Sequence, residues 1–215
     1  VGNHDAASFA DYFNVPNETG LGGDSEGSDF YFSYGNTLFM ALNSQSSDVE
    51  EHRKAMERAI AANPDATHRI VLLHKSLYSS ADHALDEDVL ELRAGLVPAF
   101  AELDIDAVLM GHDHGYVRTY QMEGNQVVGE ITYNEEGAAV DPDGTVYLTG
   151  NSASDSKYYD MRGPSVYERY SAVALQLEEP TYMNVEVTDD SLTFTTYKVS
   201  DLSVVDAYSI VKTVG

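Results

Sequence analysis

Apolar positions along the chain follow two rhythms. Residues 30–34 (FYFSY) and 37–44 (TLFMALNS) are strongly apolar and flank Gly35-Asn36, a pair suited to a tight turn, which predicts a β-hairpin. Residues 48–63 (DVEEHRKAMERAIAAN) change to helix formers, with acids at the front and Pro64 just behind. HRIVLLH then reads as a short strand. EDVLELRAGLVPAFAEL reads as a second helix, in which Pro98 predicts a break or kink, and IDAVLM is another strand. From 37 to 110 the order is strand, helix, strand, helix, strand, which predicts a sheet with helices on its faces.

The rest of the chain has a different texture. VRTYQM, TVYLTG, YSAVALQLE, YMNVEVTDD, LTFTTYKV and VVDAYSIVKT are strand-like and separated by turn residues, which predicts a largely antiparallel second half. Residues 14–29 (NVPNETGLGGDSEGSD) predict a long surface loop. With no internal repeat and no clean linker, the fold class is α/β, one domain over residues 1–215 built on two sheets.

Composition narrows the partners. Hydrophobic residues make up 43%, enough for a packed core, and no run approaches the ~18 apolar residues of a membrane-spanning helix. Asp and Glu number 36 against 12 Lys and Arg, a net charge of −24. Such a surface repels nucleic acid and anionic membranes, and it suits either a solubilising, salt-tolerant exterior or an exterior partly offset by cations. Cysteine is absent, which removes disulfides, thiolate metal sites and thiol nucleophiles.

The candidate chemistry sits at strand ends. His4 lies in VGNHD, His74 ends RIVLLH, and His112 and His114 follow IDAVLM. Functional groups in open α/β sheets gather beyond the carboxyl ends of the strands. On an extended chain alternate residues point the same way, so His112 and His114 are expected to face one site while Asp113 points elsewhere. Imidazoles with a hard oxygen donor such as Asn3 suit iron, zinc or manganese, although a strand-end histidine also serves as a hydrogen-bonded structural group. His52 and His68, in and beside the first helix, are expected on the surface. DPDGT at 141–145 is expected to be a hairpin turn rather than a calcium loop, since it lacks the closing Glu. NSASDSKYYDMRG at 151–163 reads either as a substrate-side loop or as ordinary surface.

The ordered set GNHD, a strand ending in His, HKSLYSSADH and GHDHGYVR resembles the calcineurin-like metallophosphoesterases, most closely their purple-acid-phosphatase-like branch. The resemblance spans nearly the whole chain, including the closing strands from YMNVEVTDD onward. It implies a sandwich of two mixed β-sheets flanked by helices, and a phosphoric ester hydrolase, acid-phosphatase-like, using two metal ions (iron, zinc or manganese) and a water activated on them. By motif, Asn3, His74 and His112 would bind one metal and His114 the other. His4 and His83 would serve the substrate phosphate, with Asp5 orienting His4. Tyr116 and Arg118 belong to the motif, with packing as the alternative role. Where some relatives carry two adjacent histidines this chain has His83-Ala84, one donor fewer. The family's first two motifs, which supply the bridging carboxylate and opening strands, do not precede Asn3. The resemblance therefore implies the C-terminal portion of a longer phosphoesterase, weakly active alone and prone to self-association through an exposed sheet edge. A phosphodiesterase or nucleotidase, or an inactive binding module, are the alternatives on the same scaffold. A secreted or cell-surface location, in a bacterium, is the expectation, with which the absence of cysteine and the acidic exterior agree.

Overall fold

The computed structural model describes residues 1–5, 9–23, 27–154 and 157–213. After a one-turn helix α1 (Phe9–Tyr12), β1 (Phe30–Tyr34) and β2 (Thr37–Leu42) form the expected antiparallel hairpin, with Tyr34 opposite Thr37. Helix α2 (Val49–Ala62) begins at Asp48, whose side chain accepts the Glu51 N–H at 3.0 Å. Such a cap satisfies one orphan donor of the first turn. β3 (His68–Leu73), α3 (Glu87–Glu102) and β4 (Ala107–Met110) follow, with β2, β3 and β4 parallel. Pro98 does not end α3, which runs on to Glu102. The carbonyl its ring deprives of a partner belongs to Ala94, on the exposed side of the helix where water can bond it.

The second half is less antiparallel than its sequence predicts. β5 (Tyr116–Thr119) and β10 (Ser171–Leu175) do pair antiparallel, and β6 (Met122–Glu123) and β7 (Gln126–Val127) make a small ribbon. β9 (Val146–Thr149), however, lies parallel to β4, giving a mixed sheet in the order β1-β2-β3-β4-β9-β5-β10. The second sheet is β11 (Thr181–Val187), β12 (Ser191–Lys198), β13 (Val204–Val211) and the short β8 (Ala139–Val140). β8 and β9 belong to different sheets, so residues 141–145 form a crossover between sheets and not a hairpin.

Both faces of the large sheet are covered. Leu38, Met40, Val71 and Val108 pack under Met56, Leu92, Leu96 and Phe100 of the helices. Ile70, Ala107, Val146 and Leu148 pack on Leu192, Phe194 and Ile210 of the second sheet. Two-sided burial is why β3, β4 and β9 read as unbroken apolar runs.

Two histidines expected on the surface are fully buried. His52 faces inward from α2, with Nδ1 2.7 Å from Asp29 Oδ2 and Nε2 3.1 Å from the Ser46 carbonyl. His68 opens β3 between the sheets, and neither ring nitrogen has a hydrogen-bond partner among the described residues. The helix pattern marked His52 as polar, while the Asp29 that makes its burial tolerable comes from a loop 23 residues earlier.

Candidate active site

β3, β4 and β9 run parallel, so their carboxyl ends open on the same edge of the sheet. His74 follows the end of β3. Gly2 lets the first residues lie against it, since a Cβ on Gly2 would come within 2.9 Å of the His74 ring. Asn3 Oδ1 is 2.9 Å from His74 Nε2. Asp5 closes this short turn by accepting the Gly2 N–H at 2.7 Å, and no hydrogen bond joins it to His4 among the described residues. His4 is exposed, close enough for its charge to act on His74.

The stretch 111–115 is not extended. His112 and His114 hold left-handed backbone, with φ of 72° and 47°. Gly111 N–H donates to the His74 carbonyl at 3.0 Å and Asp113 N–H to the Gly111 carbonyl at 2.9 Å. This tight turn, and not strand alternation, separates the histidines from Asp113. The buried Asp113 carboxylate accepts the backbone N–H of His83 at 3.0 Å and of Ala81 at 3.2 Å. Burial pushes its pKa up to about 6, against the pull of those two N–H groups.

The turn carrying His83 is thereby fixed beside His112. The two rings stack with centroids 4.2 Å apart, and His112 meets His74 edge-on at 5.1 Å. His83 Nδ1 is 2.6 Å from Asp86 Oδ2. Lys75, buried next to His74, is neutralised by Asp88 at 2.8 Å, which ties the end of β3 to the first turn of α3. Burial, helped by the charges of His83, His74 and Lys75, lowers the His112 pKa to about 4. Burial likewise lowers that of His74. Both imidazoles are neutral at pH 7, with lone pairs available.

The loop after β9 forms the opposite wall. Tyr159 sets its ring 5.2 Å from that of His83 and 5.1 Å from that of His114. His114 Nδ1 lies 2.9 Å from the Lys157 carbonyl, and Gln176 Nε2 donates to the carbonyls of His114 and Tyr159 at 3.0 and 2.6 Å. Arg162 donates from Nε to the Ala81 carbonyl at 3.0 Å and from Nη2 to the Asp82 carbonyl at 2.5 Å. Of the described residues in 151–163, Lys157, Tyr159 and Arg162 stand beside the histidines, while Asn151 bonds the Glu179 carbonyl. Tyr116 and Arg118 turn away from it. Tyr116 donates to Asp206 at 2.8 Å, and Arg118 Nε reaches the same oxygen at 2.6 Å, bracing β5 against β13.

Asn3, His74, His83, His112 and His114 thus come from three distant stretches to one edge of the sheet. Among the described residues, no three His, Asp or Glu side chains already close on one point as a preformed metal cage. The Asn3–His74 pair nevertheless fits a shared cation. Two ligands each ~2.1 Å from a metal lie about 3 Å apart, and the neutral His112 is beside them. The residues that sequence reasoning passed over are Asp86, Asp113, Tyr159, Arg162 and Gln176. Asp113 carried a signal in its place inside the histidine motif, and Tyr159 and Arg162 lie in the 151–163 stretch for which a substrate-side loop was one of two readings.

A model of the calcineurin-like phosphoesterase family matches residues 1–116, more than half of the chain. The chain belongs to the calcineurin-like phosphoesterases. The chemistry common to that family is metal-dependent cleavage of phosphate esters, and divalent ions generally serve it. The fold is shared with purple acid phosphatase PPD1 from yellow lupin (Lupinus luteus) seeds, at a TM-score of 0.73 and 21% identity over 93% of this calcineurin-like chain. The match spans only 34% of the lupin protein's length. GAP50, the anchor in the inner membrane complex of Plasmodium, is similar at a TM-score of 0.60 and 14% identity, over 98% of this chain and 62% of that one. Curated protein sequences gave no match. Among the described residues no helix is long and apolar enough to cross a membrane.

Proposed function

We propose that this phosphoesterase chain carries the substrate side and part of the metal shell of a phosphomonoesterase site that uses two cations. The observation that supports this reading most is the convergence of Asn3 Oδ1 and the neutral His74 and His112 rings beside His83 and the Tyr159 wall. Asn3, His74 and His112 would hold one cation, and His114 would belong to the second. Iron, zinc and manganese all accept such donors. When bound, the ions supply an activated water and offset charge on the phosphoryl oxygens.

The chain's own groups do the rest. Their donors position the phosphate, since phosphoryl transfer needs placement and charge stabilisation more than a protein nucleophile. His83 stands outside the metal shell with Asp86 on Nδ1, which leaves Nε2 to donate a proton to a phosphoryl or leaving oxygen. His4, exposed at the rim, is a second donor. Tyr159 closes the site on the leaving-group side and keeps water from its His83 flank. The −24 charge elsewhere repels an anionic ester, so affinity has to come from this locus alone.

The test is hydrolysis of para-nitrophenyl phosphate and its bis-ester after loading with Fe, Zn or Mn, in the natural protein and in H112A. The reading expects monoester turnover that H112A lowers by about 10²-fold or more. Equal turnover in H112A contradicts it, and absent turnover under all three metals points to a non-catalytic binding module.

A further inference from the structure

Cations in this chain are scarce and mostly spent. Among the described residues, seven of the 12 Lys and Arg side chains pair with a carboxylate. The five without such a partner are not scattered. Lys157 and Arg162 lie at the candidate active site, Arg58 is bonded to the Thr19 carbonyl, and Arg93 and Arg169 line one open cleft of about 350 Å³.

Arg93 is unusually well held for an unpaired cation. Its guanidinium lies 3.9 Å from the ring centre of Tyr78 and 5.2 Å from that of Tyr170. Its Nε donates to Asn125 Oδ1 at 3.0 Å, an oxygen that the Tyr78 hydroxyl also reaches at 2.9 Å. The Tyr170 hydroxyl is itself anchored on the Ser79 carbonyl. On α3 no acid stands one turn from Arg93. The α3 positions one turn from Arg93 are Val89, Leu90, Leu96 and Val97. Arg169 is exposed at the other side of the cleft, and its charge is felt by the same two tyrosines.

We propose that this cleft is an anion site separate from the catalytic locus, taking the phosphate or sulfate group of a small ligand between Arg93 and Arg169. A guanidinium presents a planar fork matched to two oxyanion oxygens, and one already fixed on aromatic faces loses little freedom on binding. In a chain with 36 acids, two neighbouring arginines left without a carboxylate are available to an incoming anion.

The test is calorimetric titration at low ionic strength with inorganic phosphate and, separately, sulfate, using the metal-free protein carrying H112A so that the candidate active site is silenced. R169E is the decisive variant, because Arg169 is exposed and packs no core. R93Q is the second variant, accompanied by a circular-dichroism check of the fold. The expected result is saturable binding in H112A that weakens about tenfold or more in each double variant. Binding of phosphate without sulfate narrows the ligand to phosphates. Binding undiminished by R169E, or no binding of either anion to H112A, overturns the proposal.

Discussion

The His83 and His112 rings stack 4.2 Å apart because the Asp113 carboxylate, between the two site histidines, accepts the His83 backbone N–H. The motif therefore fixes His83 through its own middle residue. Asp113→Ala orphans the His83 N–H, which costs about 1–3 kcal/mol, while the Ala81 N–H keeps Ser79 Oγ at 3.1 Å. The expected outcome is a lower urea midpoint together with loss of the His83 contribution to turnover. Asp113→Asn, which keeps one acceptor oxygen, should recover part of both.

His83 itself is the proton donor in this account, and Asp86 fixes its orientation from 2.6 Å. His83→Ala should lower kcat by about 10²-fold, the usual contribution of a positioned acid. Asp86→Asn should lower kcat less than His83→Ala does, since it weakens the contact that holds the His83 ring in place but leaves the imidazole itself. Unchanged kcat in Asp86→Asn would contradict a part for Asp86 in orienting His83.

Tyr159 sets its ring beside His83 and His114. Tyr159→Ala should raise KM for aryl esters about three- to tenfold, the worth of one aromatic contact, while metal content stays the same. Loss of metal in this variant would instead mean that the wall is needed to hold His114.

The two buried histidines separate by what surrounds them. For His52, burial works against the proton, but the bond and charge of Asp29 outweigh it and raise the pKa above the ordinary 6.5. Its contribution is therefore complete below 6.5 and lost as pH rises through the folded value. His52→Leu leaves Asp29 buried without its partner and should cost about 3–5 kcal/mol. For His68, burial and then the Lys212 charge lower the pKa, against Asp106 and Asp190. Below 6.5 the unfolded chain takes up a proton that the folded chain refuses, so stability falls as pH drops from 6.5 toward the folded value. His68→Leu, which buries no unpartnered nitrogen, should be neutral or stabilising at pH 7 and should flatten urea stability between pH 6.5 and 5.5. An identical pH slope in the variant would contradict this assignment.

The α/β half of the fold was legible because two-sided burial writes continuous apolar strands and amphipathic helices. The β1–β2 turn at Gly35-Asn36 and the ends of α2 are where the sequence puts them. The parallel placement of β9 was not legible, because TVYLTG looks the same in either direction and its partners on β4 are 39 residues earlier, Ala107 beside Val146. The direction of β9 decides between the two readings of the stretch that follows it, since a strand parallel to β4 delivers Tyr159 and Arg162 to the edge that carries the histidines. The histidines were legible by their position after strands. What holds them, Asp113 facing inward through left-handed backbone at 112 and 114, is set by tertiary hydrogen bonds that no local pattern encodes.

Metal content measured by elemental analysis, in the wild type and in His74→Ala/His112→Ala after equal exposure to zinc or manganese and gel filtration, tests the central claim most directly. At least about one ion per wild-type chain and near-complete loss in the double variant are expected, with circular dichroism unchanged. Equal metal in both proteins, or none in either, would contradict the assignment of Asn3, His74 and His112 as a metal shell.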